Sequence, residues 1–328
     1  MRAKARAHSN IALIKYWGKR DERLNLPAVG SISLTLSALW TETEIEFSPQ
    51  FQTDQLILND KTASPEETGR TSRFLDVLRK LAGINHKAVI QSHNNFPTAA
   101  GLASSASGFA ALTLAAARAL HLSLSRKELS VLARQGSGSA ARSIPGGFVE
   151  MHAGQSADGS DAFAEPIAPP AHWDIRLLIG ITSGAAKKIG STAGMNLSKT
   201  TSPYYQAWID AQHADLTAMR QAILDRDFER LGELSEYSCL KMHALALSSN
   251  PGILYWNGVT VEAMHAVRDL RRRGTPAYFT IDAGPQIKVL CLPEDENEVR
   301  EMLESIPGIR EVVSNKPGPD ARILEADE

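Results

Sequence analysis

A run of small residues that leads into an Ala- and Leu-rich helix constrains the fold of this chain most. Residues 97–108 read PTAAGLASSASG, with Leu102 the single bulky side chain, and an apolar helical pattern continues to about Leu120. Small side chains let backbone N–H groups approach a ligand closely, and a helix N-terminus adds unpaired N–H groups and partial positive charge. The run therefore predicts either a phosphate cradle or a tight loop against a small-residue helix. It contains no Gly-Lys-Ser/Thr and is not a Walker A loop.

A second candidate for anion binding lies at residues 136–142, GSGSAAR. Ser137 and Ser139 offer hydroxyl groups beside backbone amides, and Arg142 can hold a carboxylate or phosphate through two parallel hydrogen bonds. The alternative is a flexible turn followed by a surface arginine. On these residues alone, the turn is the more common case.

Isolated charges next to apolar segments give further candidates. Lys15 follows the apolar segment 11–14 and either faces a cleft or keeps its head in water above a buried stem. Asp282 ends the apolar segment 278–281 and is either a turn former or an ionised base beside Lys15 and Arg142. The chain order alone does not bring these three residues together.

Two adjacent lysines, Lys187 and Lys188, lie in a segment rich in Gly, Ser and Thr. They either close over the charge of a triphosphate or form a solvated, mobile pair. Both interpretations stay open at this point.

The charge balance excludes strongly charged partners. The 328 residues contain 35 Lys plus Arg and 37 Asp plus Glu, a formal net charge of −2, which creates no field for nucleic acid or an anionic membrane. No run reaches the ~18 apolar residues of a membrane span, so we expect neither partner. Two cysteines cannot build a disulfide framework, and we expect a reducing cytoplasm.

Alternation and helical periodicity predict the main elements. Strands are expected at 32–36, 41–47, 55–58, 87–92, 146–150, 175–181, 277–282 and 287–292. Helices are expected at 65–81, 125–134 and 294–304. A further helix is expected to follow the small-residue run and end near residue 120, and helices should occupy most of 204–273.

Two segments predict irregular structure, and the whole pattern predicts the fold class. Residues 153–172 indicate an exposed excursion and a lobe boundary, and residues 183–203 indicate a long loop that would suit a lid. Strands first and helices later predict an α+β fold. The length suggests two lobes, which we place at residues 1–172 and 173–328.

Taken together, the motifs resemble those of one family, the mevalonate 5-diphosphate decarboxylases of the GHMP kinase superfamily. The matching stretches occur in the family's order and span nearly the whole chain. They are NIALIKYWGKRD at 10–21, LNLP at 24–27, NNFPTAAGLASSASGF at 94–109, GSGSAARS at 136–143, GGFVE at 146–150, STAGM at 191–195 and IDAGP at 281–285. The resemblance implies a two-lobed fold with a deep cleft, the phosphate loop in the first lobe and Asp282 in the second.

The resemblance also implies an activity, which is ATP-dependent decarboxylation that yields isopentenyl diphosphate, ADP, phosphate and CO2. The cofactors would be ATP and Mg²⁺, the partner a phosphorylated mevalonate, and the assembly a homodimer. Close relatives of the family act instead on mevalonate 5-phosphate, and others phosphorylate the 3-hydroxyl group without decarboxylation. A catalytically silent nucleotide-binding protein is the remaining alternative.

Four residues take catalytic roles by resemblance. Asp282 matches the family's aspartate, which accepts or orients the proton of the 3-hydroxyl group. Arg142 matches the arginine that holds the substrate carboxylate, and Asn10 matches a residue that orients this arginine. Lys15 matches a lysine near the aspartate, which keeps Asp282 ionised and steadies the leaving charge.

Two further sets of positions follow from the resemblance. Those expected around the 5-phosphate groups of the substrate are Tyr16, Lys19, Arg70, Ser137, Gly138, Ser139, Ser191 and Thr192. Those expected around ATP and its phosphates are Pro97, Ala100, Gly101, Leu102, Ala103, Ser104 and Ser105, with the Ser105 hydroxyl also on Mg²⁺. Lys187 and Lys188 join this set from the composition of their own segment.

One position departs from part of the family. Some bacterial members have arginine where this chain has Thr192, while eukaryotic members have threonine. Fewer cations around the 5-position would lower the affinity for a 5-diphosphate. Retention of Asp282, Lys15 and Arg142 argues against a pure 3-kinase and leaves the choice between monophosphate and diphosphate open.

Overall fold

The computed structural model describes residues 1–96, 104–184 and 188–325. Within these ranges, two large β-sheets are flanked by helices. The expected α+β class is therefore confirmed. None of the described helices has both the length and the apolar composition needed to cross a lipid bilayer.

The strands and helices are numbered in chain order. The strands are β1 Arg2–Ile14, β2 Lys19–Asp21, β3 Leu26–Pro27, β4 Ser31–Ser48, β5 Gln55–Leu58, β6 Lys61–Thr62, β7 Lys87–Asn94, β8 Phe148–Met151, β9 Ala164–Ala168, β10 Arg176–Ile181, β11 Ala277–Ile281, β12 Ile287–Cys291, β13 Glu311–Asn315 and β14 Arg322–Leu324. The α-helices are α1 Pro65–Ala82, α2 Ser104–Ala119, α3 Arg126–Gly136, α4 Ser191–Thr201, α5 Tyr205–Asp225, α6 Phe228–Leu247, α7 Gly258–Arg272 and α8 Glu296–Glu304. Short 3-10 turns occupy Gly138–Ser143, Pro170–His172 and Pro293–Asp295.

Local sequence explains where the N-terminal helices begin. The Ser64 side chain accepts from the backbone N–H of Glu67, whose carboxylate in turn accepts from the Ser64 backbone, and Pro65 fixes the first turn of α1. Ser125 and Glu128 repeat this capping box at α3. The predicted helices 65–81 and 125–134 are confirmed to within two residues at each end.

The first sheet contains both the opening and the closing strands of the described chain. Its strand order is β14-β1-β4-β7-β5-β6, with β8 paired to β4 and β9 paired to β8. The pairing of β14 with β1 returns residues 322–324 to the N-terminal sheet. The second sheet has the order β11-β12-β10-β13 and is antiparallel throughout. The division of the chain at residue 172 stays a prediction.

Apolar packing joins the two sheets and covers their outer faces. One buried cluster combines side chains of β1 and β4 with those of β10 and with helices α5 and α6, so both sheets share a core. A second cluster lies between the first sheet and α1 and α2, and a third between the second sheet and α7 and α8. The relative position of the sheets is therefore set by packing.

Three sequence expectations were wrong in detail. The strands predicted at 32–36 and 41–47 form one strand, β4, which pairs with β1, β7 and β8 along its length. The predicted excursion 153–172 contains β9, which pairs with β8 and buries Ala164 and Ala168. The predicted loop 183–203 contains helix α4, which forms because Met195 and Ser198 are buried against the body of the protein.

Helix α6 approaches the second sheet closely at Gly232. A Cβ atom at this position would collide with the Tyr278 ring, which is buried and packs edge-on against Phe228 at a centroid distance of 5.8 Å. Gly69 in α1 is also within a helix, but a Cβ atom there would make ordinary contact with Arg73. An alanine substitution at each of these glycines therefore distinguishes the cost of overpacking from the gain in helix propensity.

We expect Gly232→Ala to destabilise the protein by about 1–3 kcal/mol, because overpacking outweighs the gain in helix propensity. Gly69→Ala should stabilise it by up to about 1 kcal/mol. Thermal unfolding midpoints of both variants check this. A Gly232→Ala protein as stable as Gly69→Ala would contradict the close-approach account.

Candidate active site

A cleft of about 510 Å³ opens where the two sheets meet. Its walls come from the end of β1, the turn 138–143, the start of α2, the start of α4 and the residue after β11. The cleft brings together fourteen of the predicted site residues. They are Asn10, Lys15, Tyr16, Lys19, Arg70, Ser104, Ser105, Ser137, Gly138, Ser139, Arg142, Ser191, Thr192 and Asp282.

An ion pair between Lys15 and Asp282 lies at the base of the cleft. Lys15 Nζ is 2.7 Å from Asp282 Oδ1, and the Lys15 side chain is 1% exposed. Helix α6 holds both ends of this pair through the backbone. The Lys15 N–H donates to the Ser238 hydroxyl at 2.9 Å, and the Ile281 N–H, just before Asp282, donates to Cys239 Sγ at 3.1 Å.

The electrostatic surroundings keep Asp282 ionised. Burial alone would raise its pKa, but the nearby ammonium groups of Lys15 and Lys288 outweigh burial and hold the pKa of this carboxyl well below its usual range. Arg142 acts in the same direction. The cleft thus contains a carboxylate that stays negative at every physiological pH.

Arg142 is fixed by hydrogen bonds and can still act on a ligand. It donates from Nη1 to Ser31 Oγ at 2.6 Å and from Nη2 to Asn10 Oδ1 at 3.2 Å. Asn10 in turn donates to Ser143 Oγ at 2.7 Å. Burial lowers the pKa of Arg142 to about 10, so the guanidinium remains cationic at neutral pH. The remaining N–H groups suit a carboxylate.

Other residues of the cleft lining present an amine and several hydroxyl groups. Lys19 Nζ donates to Asn25 Oδ1 at 2.7 Å and to Thr192 Oγ1 at 3.1 Å. Burial, and then the charge of Arg70, lower the Lys19 pKa, so an anion placed here would relieve an unfavourable charge. The Ser137 and Ser105 hydroxyl oxygens lie 3.4 Å apart, which links the second predicted anion loop to the start of α2.

Tyr16 lies above this loop. Gly138 makes the close approach possible, because a Cβ atom there would collide with the Tyr16 hydroxyl group. Burial raises the Tyr16 pKa, so the phenol stays protonated and can donate to a ligand.

Of the remaining predicted residues, the structure describes one, Lys188, and it does not line the cleft. Lys188 is exposed at the surface. Six predicted residues lie outside the described ranges, and their roles stay predictions: Pro97, Ala100, Gly101, Leu102, Ala103 and Lys187.

Sequence reasoning missed several partners of the predicted residues. Asn25 accepts a hydrogen bond from Lys19 and has a left-handed backbone with φ of 51°. The LNLP motif that contains it supported the family resemblance but indicated no role for this residue. Ser31 holds Arg142 from within an apolar alternating strand. Lys288, which lies 3.6 Å from Asp282 Oδ2, had a usable signal, because it is a lone lysine in the otherwise apolar strand β12.

A smaller apolar cavity of about 180 Å³ adjoins the start of α2. It shares Ser104, Ser105 and Arg70 with the main cleft, and its other walls are largely apolar. Leu56, Ile90 and Phe109 supply much of that apolar lining. The two cavities together form a polar site with an apolar extension.

Family models match most of the chain. Residues 7–164 match the diphosphomevalonate decarboxylase-like N-terminal domain. Residues 177–319 match the mevalonate 5-diphosphate decarboxylase C-terminal domain.

Relatives that match over most of this chain carry the same name. The chain is 42% identical over 316 residues to the diphosphomevalonate decarboxylase of Candida albicans, a match that covers 92% of this chain and 87% of the relative. It is 38% identical over 307 residues to the human diphosphomevalonate decarboxylase, covering 87% and 75%.

Solved structures agree in fold along the whole chain. The mevalonate diphosphate decarboxylase of Staphylococcus aureus superposes with a TM-score of 0.94 at 42% identity, covering 99% of this chain and 98% of the other. That of Enterococcus faecalis gives a TM-score of 0.92 at 41% identity, covering 99% of each. A further structure, described as MDDEF in complex with MVAPP, AMPPCP and magnesium, gives 0.93 at 42% identity, also covering 99% of each.

These matches confirm the resemblance and the expected fold. Six of the seven motifs that suggested the family from sequence contribute described residues to this one cleft, and the segment 146–150 does not. Two family models, close relatives and superposable structures agree, and the chain belongs to the mevalonate 5-diphosphate decarboxylase family.

Proposed function

We propose that this chain catalyses the ATP-dependent decarboxylation of mevalonate 5-diphosphate to isopentenyl diphosphate, ADP, phosphate and CO2, a step of the mevalonate pathway. One observation carries the proposal. Asp282, Lys15 and Arg142, from three distant parts of the chain, line a single cleft. The structure with MVAPP, AMPPCP and magnesium supports the same set of ligands for a close relative.

Asp282 acts first, at the 3-hydroxyl group of the substrate. Because its pKa lies far below neutrality, the carboxylate accepts a hydrogen bond from this hydroxyl and aims its oxygen at the γ-phosphate of ATP. As the new O–P bond forms and the bond from the γ-phosphorus to ADP breaks, the hydroxyl proton passes to the Asp282 carboxylate. Phosphoryl transfer passes through a loose transition state, for which positioning and charge neutralisation matter more than a strong base. Lys15 keeps Asp282 ionised and steadies the negative charge that accumulates next to it.

The part of the cleft at the start of α2 fits nucleotide phosphates and Mg²⁺. Ser104 and Ser105 place hydroxyl groups at the start of α2, next to Ser137, and oxygen ligands of this kind suit Mg²⁺. When bound, Mg²⁺ neutralises the charge of the transferring phosphoryl group. The adjoining apolar cavity suits the base of the nucleotide.

Arg142 directs the second step. The 3-phosphate leaves with its bonding electrons, and positive character develops at C3. The electron pair of the bond to the carboxylate carbon then forms the new double bond to C3, which releases CO2. Ser31 and Asn10 hold the guanidinium in one orientation, so Arg142 can keep the carboxylate aligned with the breaking bond.

The 5-diphosphate lies, in this proposal, along Lys19 and the hydroxyl groups of Ser137, Ser139, Ser191 and Thr192. The direct hydrogen bond from Lys19 to Thr192 supports this placement, because it joins β2 to the start of α4 around one position. The uncapped start of α4 adds backbone N–H groups there.

We also propose a reducing cytoplasmic location and a homodimer. Cys239 and Cys291 are both buried free thiols, which suits a reducing compartment. The homodimer rests on the family resemblance. Sedimentation of the purified protein would test it.

The function itself is tested by product analysis with ATP, Mg²⁺ and each phosphorylated mevalonate. We expect a higher kcat/KM for the 5-diphosphate than for the 5-monophosphate. Lys19→Met should lower kcat/KM for the 5-diphosphate about 10- to 100-fold, mainly through KM, because a charge-assisted hydrogen bond is lost.

Lys80→Met is the matched control, because Lys80 is exposed at the end of α1. Equal kinetics of Lys19→Met and Lys80→Met would remove Lys19 from the phosphate site. A wild-type preference for the monophosphate would identify the chain as a 5-phosphate decarboxylase, while product that retains the carboxylate would identify a 3-kinase.

We expect Asp282→Asn to abolish turnover while ATP still binds, because the amide has no charge to orient the hydroxyl proton beside Lys15. Steady-state kinetics and calorimetric titration of an ATP analogue measure the two effects. Asp210→Asn, a change at an exposed α5 residue that bonds Gln206, should behave as wild type. Substantial turnover by Asp282→Asn would contradict this role and favour a different mechanism.

Arg142→Lys should lower kcat at least tenfold, since one ammonium cannot reproduce the two-point hold on a carboxylate. An assay of CO2 formation by this variant should show the slower rate. Unchanged turnover in this variant would take Arg142 out of the mechanism.

A further inference from the structure

We propose that Lys288 is a positioning residue of this reaction, a second buried ammonium that holds Asp282 by the oxygen that Lys15 does not bind. This inference deepens the proposed function and rests on it. Lys288 belongs to none of the motifs that carry the family resemblance, and it emerges from the structure.

The position of Lys288 follows from strand pairing. In the β11–β12 hairpin, Lys288 lies opposite Thr280, and Asp282 follows Thr280 by two residues. Side chains two residues apart in extended chain point to the same side. Lys288 Nζ therefore reaches Asp282 Oδ2 at 3.6 Å, while Lys15 Nζ lies 2.7 Å from Oδ1.

Lys288 lies behind the carboxylate as seen from the cleft. Its side chain is fully buried, and the described lining of the cleft includes Lys15 and Asp282 but not Lys288. Lys288 therefore acts on a substrate through Asp282. Lys15, which does line the cleft, can act on it directly.

The charges around Asp282 do not balance. Among the described residues, the titratable groups that face it are Lys15 at the end of β1, Arg142 of the turn 138–143, Lys288 of β12, and Cys239 and His243 of α6. Burial raises the Cys239 pKa to about 11 and lowers the His243 pKa to about 3, so both are neutral. In the part of the chain that the structure describes, three cations thus surround one acid.

A buried lysine that is needed only as a counter-ion would be redundant here. Lys15 already neutralises Asp282, and burying a further ammonium costs several kcal/mol. Burial lowers the Lys288 pKa, an effect that Asp282 opposes. This unfavourable charge is useful to a catalyst, because the substrate carboxylate and the transferring phosphoryl group bring the missing negative charges.

The two-point hold also has a geometric effect. With one ammonium on each oxygen, the carboxylate of Asp282 cannot rotate freely about its terminal bond. Lys15 can then turn its remaining N–H groups towards the reacting phosphoryl group while Lys288 keeps Asp282 in place and ionised. Both effects act on kcat more than on substrate affinity.

The test is Lys288→Met, which keeps the length of the side chain and removes the charge. We expect kcat to fall at least tenfold with a smaller change in KM. Loss of a nearby cation raises the pKa of Asp282, so the acidic limb of the pH profile of kcat/KM should move to higher pH. Lys288→Arg should keep the limb near its wild-type position.

Thr280→Val is the matched control on the opposing strand. Thr280 is fully buried, and its hydroxyl has no hydrogen-bond partner among the described residues, so an isosteric valine changes packing and charge least. We expect wild-type kcat and pH profile from it.

Thermal stability separates positioning from a structural role. Because Asp282 keeps Lys15 as its partner, Lys288→Met should fold with an unchanged or higher unfolding midpoint. Failure of this variant to fold, or a lower midpoint with the acidic limb in place, would overturn the proposal. So would wild-type kcat and pH dependence.

The outcome is distinct from failure of the proposed function. A wild-type protein that makes no isopentenyl product from either substrate refutes the function, and this inference with it. An active wild type with an equally active Lys288→Met variant refutes the role of Lys288 alone.

Discussion

The structure depends on one buried ion pair, between Lys15 at the end of the first strand and Asp282 after the eleventh. Charges taken out of water must be paired with good geometry, or they destabilise the fold. Lys15 belongs to the first sheet and Asp282 to the second, so the pair forms only when the two sheets are brought together. The shared apolar core between β1, β4, β10 and helices α5 and α6 supplies the favourable free energy for that contact.

The protein therefore uses folding free energy to assemble an electrostatic site that no single segment could hold. Arg142 is added by a 3-10 turn, which is itself held by Ser31 of β4 and Asn10 of β1. Donors fixed in this way do not need to reorganise when charge develops on a substrate, which is the main source of electrostatic catalysis. Among the described residues, the same arrangement places more cations than acids around Asp282, and bound anions would offset that excess.

The sequence predicted regular elements well where periodicity is strong and poorly where packing decides. Helix α1 has a capping box and a proline, and its prediction was accurate. Helix α4 has little apolar periodicity and is defined by the burial of Met195, while β9 contains Pro166 and depends on β8.

The candidate site residues were found as motifs, but their convergence was not derivable, since 267 positions separate Lys15 from Asp282. Family resemblance provided that link, and Lys288 lay outside it.

Helix α6 couples core packing to the position of the acid. At one end, Gly232 lets the helix lie directly on Tyr278, two residues before Thr280 in β11. Further along, Cys239 binds both backbone groups of Ile281, and His243 Nε2 lies 3.3 Å from the Ile281 carbonyl oxygen. Ser238 holds the backbone of Lys15 from the same helix. One rigid element thus fixes both members of the ion pair. Since displacing reacting groups by about 1 Å can cost much of the rate, the proposed mechanism would give the close contact at Gly232 a role in catalysis as well as in packing.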